Sequence, residues 1–185
     1  MPAFGIEEEG PIKRLFCRIA ARLTALIMVG TILMLGGCTT TKGEGFAIYL
    51  TKGDVSPAQM PALSHVDIAE QPIIAMSDII TYNAKTHEIT LTTSAYERIS
   101  KLEVPVRGKS FVVCVDRKLI YWGAFWTPLS SMSFNGVTIM LPLSSQDAKV
   151  VKLELGYPSP SFFKGEDPRL NAEVMESLEQ AGKLK

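Results

Sequence analysis

Short apolar runs with a period of two, and few helical stripes, dominate the chain from Phe46 onward. Phe46 to Leu50 joins aromatic and β-branched residues and predicts a strand. Ser56 to Pro61 carries two prolines and reads as a loop or turn, while Ser64 to Ile73 is ambiguous, with an edge strand as one option. Asp78 to Tyr82 and Glu88 to Thr92 flank the polar stretch Asn83 to His87, which predicts a hairpin with a five-residue connection. A second hairpin, residues 109–126, pairs Lys109 to Val115 with Lys118 to Trp126 and turns at Asp116–Arg117. Phe111, Val113 and Val115 form one face of its first arm, Val112 and Cys114 the other. Leu119, Tyr121 and Phe125 likewise oppose Ile120, Trp122 and Trp126. Strands apolar on both sides are central and covered twice.

Asn135–Gly136 predicts a turn leading into a strand from Val137 to Leu141. Lys149 to Leu155 predicts one more strand, with Val151, Leu153 and Leu155 inward and Lys152 and Glu154 outward. Two helices complete the pattern. Ser94 and Glu97 form a capping box that predicts a helix over about 94–102, stopped before Pro105. Asn171 is placed to cap a helix over about 171–181, whose stripe is Val174, Leu178 and Ala181, with Gly182 as the stop. Tyr157 to Asp167, rich in Pro and Gly, reads as a crossing loop. The expected class is α+β: an antiparallel sheet around the 109–126 hairpin, with two helices.

The first 37 residues follow a different logic. Lys13, Arg14, Arg18 and Arg22 precede a 13-residue apolar run, Leu23 to Leu35. Cations followed by a greasy segment are the order that export machinery reads. Thirteen residues fall short of the roughly 20 needed to span a bilayer. Leu35-Gly36-Gly37-Cys38 then resembles the lipobox of bacterial lipoproteins. That resemblance implies a signal peptide at 1–37, diacylglycerol on the Cys38 sulfur, cleavage before Cys38 and acylation of the freed amine. Two or three acyl chains anchor stably where one binds marginally. Thr39 rather than aspartate after the cysteine favours, in Gram-negative lipoproteins, the outer membrane; the sequence leaves the cell type, and so cell membrane or outer membrane, open. Residues 38–45 read as a lipidated tether and 46–185 as a single extracytoplasmic domain.

Removing 37 of 185 residues leaves 148, enough for one domain with its own core. That part carries 15 basic and 16 acidic residues without a block of either sign, so no phosphate backbone is attracted and nucleic acid is an unsuitable partner. With Cys38 lipidated, Cys114 has no intrachain disulfide partner and reads as a small buried hydrophobe.

The familiar catalytic patterns are missing. His65 and His87 sit in separate segments and read as exposed loop histidines. No serine stands in a G-x-S-x-G elbow. Gly108-Lys109-Ser110 looks like the end of a phosphate loop, but Glu103 stands where the earlier glycine is required. No cofactor or metal is expected. A non-catalytic binding or assembly module is the reading these residues favour, and a small envelope hydrolase with an unrecognised active site is the alternative.

The most distinctive stretch is Tyr121 to Ser131, which holds both tryptophans of the chain. Trp122 and Trp126 read either as core of a central strand or as the border of a groove for a peptide or protein partner. Phe162 and Phe163, in a loop where apolar bulk is unusual, could supply a second wall. Val112 to Ile120, followed by the turn at Gly136 and another apolar strand, resembles the periplasmic head domain of SecDF export subunits. That likeness implies a similar fold and peptide binding, although the chain has no counterpart of those proteins' membrane helices.

Overall fold

Period-two burial organises the molecule around two sheets. The computed structural model describes residues 43–141 and 149–185, which belong to one compact unit. The expected signal 1–37, Cys38 and the tether through residue 42 lie outside these residues. In chain order the strands are β1 (Phe46–Leu50), β2 (Ile79–Asn83), β3 (Glu88–Leu91), β4 (Lys109–Val115), β5 (Lys118–Trp126), β6 (Phe134–Met140), β7 (Val150–Lys152) and β8 (Glu154–Tyr157). Helix α1 (Thr93–Ser100) follows β3, and α2 (Ala172–Gln180) lies near the C-terminus. The larger sheet has the order β1-β4-β5-β6-β8 and the smaller β2-β3-β7. The class is α+β, as the sequence pattern indicates.

One face of the large sheet, with Phe46, Ile48, Phe111, Val113, Phe125 and Ile139, packs into a core shared with the small sheet and both helices. Ile89 and Val151 enter from the small sheet, Ala95 and Ile99 from α1, Val174 and Leu178 from α2. Each fully buried aliphatic or aromatic side chain contributes about 1.5–3 kcal/mol. The opposite face, with Ala47, Tyr49, Val112 and Cys114, lies under Met60, Leu63, Val66 and Ile68. β4 is therefore covered on both sides, as its continuous apolar run requires. The 56–74 segment that supplies this cover forms short 3-10 turns at Pro57–Gln59 and Leu63–His65 and isolated bridges at Ile68 and Ile74; the edge strand considered for Ser64 to Ile73 does not form.

Several expectations shift by a residue or two for identifiable reasons. In β5, Tyr121 pairs with Val113 and Leu119 with Cys114, so Ile120 is an extra, bulged residue. The bulge reverses the phase: Leu119 lies against the Cys114 side, and Ile120 joins Tyr121 and Phe125 on the main core side. α1 is capped by Thr92, whose hydroxyl accepts from the Ala95 N–H at 3.4 Å, rather than by Ser94, and it ends at Ser100. The stretch 149–155 divides into β7 and β8, which serve different sheets. Asn135 and Gly136 are not a turn; they lie within β6, where the pairing with β8 slips between Phe134 and Val137. A Cβ at position 136 would fall 2.6 Å from the Phe134 ring, which explains the glycine there.

β6 runs parallel to β5, with Gly123 opposite Val137 and Trp126 opposite Met140. Parallel neighbours ordinarily need a crossover of a dozen or more residues; here seven, Thr127 to Ser133, suffice. The remaining strand pairs are antiparallel. At the start of the domain, Asp116 Oδ1 accepts the Gly45 N–H at 2.7 Å, and the Tyr49 hydroxyl donates to Glu44. Residues 44 and 45 are thus fastened to β1 and to the β4–β5 turn.

Candidate functional site

The cover formed by the 56–74 segment stops short of β6, and a groove of about 480 Å³ opens beyond it. Trp122, Trp126 and Phe134 line it, with Pro57 and Ala58 from the covering segment and Phe162 from the loop after β8. Its size lies within the range of small-ligand pockets. Trp126 and Phe134 stack at 5.2 Å and 14°, and Trp122 leans on Phe134 at 5.6 Å. Trp126 is 1% exposed and belongs to a satellite core with Ala124 and Phe134, whereas Trp122 is half-buried. The two tryptophans therefore divide the two roles open to them: Trp126 is core that borders the groove, and Trp122 is its accessible neighbour.

The walls are held by backbone. Gly108, at φ +79°, brings the main chain against the Trp126 ring; a Cβ there would sit 2.3 Å from the indole and 3.1 Å from Pro57. On the far side the loop 158–171 is secured at three places. Lys164 N–H donates to the Asn135 carbonyl at 3.1 Å, which pins it to β6. Phe162 N–H donates to Ser159 O, closing a 3-10 turn. Arg169 chelates Asp167 through Nε and Nη2 at 2.9 and 2.7 Å and donates from Nη1 to Leu153 O at 2.8 Å. The Arg169 hydrogen bonds hold the Asp167 carboxyl below its ordinary range. Tyr157, at the end of β8, donates to Pro128 O and Ser130 O at 3.3 and 3.2 Å and so ties down the crossover that carries Met132 to the groove.

Phe162 is 44% exposed and lines the groove. Phe163 does not; it is half-buried, its N–H bonded to Pro160 O and its backbone beside Gly156. Two apolar residues of the crossover, Leu129 at 83% and Met132 at 47% exposure, add bare apolar surface. Sequence reasoning missed Phe134, Met132, Arg107 and Lys164. No local signal marks them, because the short parallel crossover and the return of the loop after β8 bring them together.

His87 corrects an expectation. It is 8% exposed, not an open loop residue: at φ +56° its ring turns inward, with Nδ1 3.3 Å from the Tyr82 hydroxyl. Burial, with Arg169 adding to it, lowers its pKa, and burial raises that of Tyr82 to about 12. Tyr121 Oη is buried without a hydrogen-bond partner among the described residues, as is Trp126 Nε1. A further depression of about 390 Å³ is lined by Glu44, Asp116, Glu173 and Glu176, with Glu173 paired to Lys118 at 2.7 Å. Among the described residues no three His, Cys, Asp or Glu side chains are grouped to hold a metal, and no helix is long and apolar enough to cross a membrane. Set against protein-family models, curated proteins and solved structures, the chain finds no match.

Proposed function

We propose that this chain is a lipid-anchored protein of the cell envelope, held on the extracytoplasmic side of the cell membrane or outer membrane through Cys38, whose domain binds a peptide or protein partner without catalysing a reaction. The observation that carries the binding role is the groove in which Trp122, Phe162 and Met132 present apolar surface to solvent beside the stacked Trp126–Phe134 pair. Aromatic side chains are the usual anchors of binding surfaces, because each buries a large area at little cost in conformational freedom. The lipobox-like run Leu35 to Cys38 supports the anchor, and the likeness to the SecDF head domain agrees with a peptide-like ligand.

Crosslinking in intact envelopes, followed by purification of the full chain, tests the reading. The wild-type chain is expected to recover a defined protein, and Trp122→Ala to lose most of it while keeping its melting temperature within a few degrees. Recovery that is the same for Trp122→Ala and the wild type would exclude the groove as the binding surface.

A further inference from the structure

The groove has a charge as well as a shape. Its two charged lining residues, Arg107 and Lys164, are both cationic, and no carboxylate lines it. Arg107 comes from the approach to β4 and Lys164 from the loop after β8, so the cations arise from separate segments. Both are exposed, and neither forms an ion pair among the described residues. We infer that the groove takes an acidic peptide segment, its apolar or aromatic side chains against Trp122, Phe134 and Phe162 and its carboxylates toward Arg107 and Lys164.

This inference rests on the groove being the binding surface and adds the chemistry of the occupant. Complementary charge steers encounter and rejects like-charged partners, an effect that weakens as salt shortens the screening length to roughly 10 Å or less. A neutral glycan would stack on the same indole but draw nothing from the two cations. A basic segment would meet repulsion from both.

The two tryptophans of the chain both line the groove, so indole emission reports its occupancy. The full chain in detergent micelles is titrated with an octapeptide of alternating Phe and Glu between Gly-Ser ends, with its twin carrying Lys for Glu, and with chitotetraose. The acidic peptide is expected to shift the emission saturably, the lysine twin to leave it unchanged, and added salt to weaken the binding. Removing two exposed cations together, as Arg107→Ala with Lys164→Ala, should weaken it roughly tenfold. Equal binding of the two peptides, or undiminished binding by the double variant, overturns the charge assignment and leaves the groove standing. A response to chitotetraose alone overturns the peptide in favour of a glycan. Silence with all three probes overturns the proposal, and the partner capture by Trp122→Ala then decides separately whether the groove binds anything.

Discussion

Cys114 and His87 show how far burial alone sets the chemistry of a residue. Cys114 has no exposed surface, and burial pushes its thiol up to about 11. At pH 8 about one thiol in a thousand is then ionised, and the thiolate is the nucleophile. Iodoacetamide at pH 8 is expected to leave Cys114 unmodified in the folded chain and to label it once urea is added, as read by peptide mass spectrometry; rapid labelling without urea contradicts the packing. His87 responds to acid. Its folded pKa lies below the ordinary value of about 6.5, so the unfolded chain binds the proton more readily. The stability this contributes is complete above about pH 6.5 and is lost as pH falls through the lowered folded value. Asp167, also lowered, adds a second loss at more acid pH, below the ordinary carboxylate range. Thermal melts from pH 8 to 4 should show the first decline, and His87→Asn, which tolerates the positive φ and does not titrate, should flatten it.

At the scale of elements, the β4–β5 turn is the most exacting piece of local structure. Asp116 and Arg117 both have positive φ, 50° and 65°, the conformation a two-residue hairpin needs to match strand twist. Asp116 also holds the Gly45 N–H, and Arg117 stacks on Tyr49 with its guanidinium carbon 5.1 Å from the ring centre. Asp116→Ala removes a hydrogen bond and the short polar side chain that eases the left-handed conformation, together costing about 2 kcal/mol. Asp116→Asn keeps both features and should be nearly neutral; denaturant unfolding separates the two. This turn was legible in the sequence because its residues and the apolar runs around it agree. Asn171 was legible for the same reason: its side chain accepts from Glu173 N and Val174 N, and Gly182 follows the helix at φ +66°. The bulge at Ile120, the cap at Thr92 and the division of residues 149–155 were not. In each, tertiary pairing chose between local patterns of nearly equal quality. The groove was legible only in part: Trp122, Trp126 and Phe162 stand out as aromatics, while their cationic neighbours come from distant segments and carry no mark of a shared site.

For the whole molecule, the proposed anchor and the proposed groove are separable by experiment. Cys38→Ala should abolish acylation and processing and release the chain from envelope membranes on fractionation. The emission response to the acidic octapeptide should persist, because the groove's lining among the described residues comes from positions 57 to 164. A Cys38→Ala chain that stays membrane-bound and processed would remove the lipid assignment. The crossover from β5 to β6 bears on how such a ligand arrives. Trp126 lies opposite Met140, so the chain must travel back along six residues of strand, about 20 Å, before β6 starts. Its eight links from Trp126 to Phe134 reach at most about 28 Å, and the hydrogen bond from Ser130 N–H to Thr127 O draws some of that length into a turn. Little slack is left, and Met132 and Ser133 cannot swing away from the groove without pulling on Phe134, which pairs with Tyr157 of β8. The site is cut to shape when the chain folds, so an incoming segment meets a fixed mould, and its capture should proceed in one kinetic phase whose rate climbs linearly with concentration.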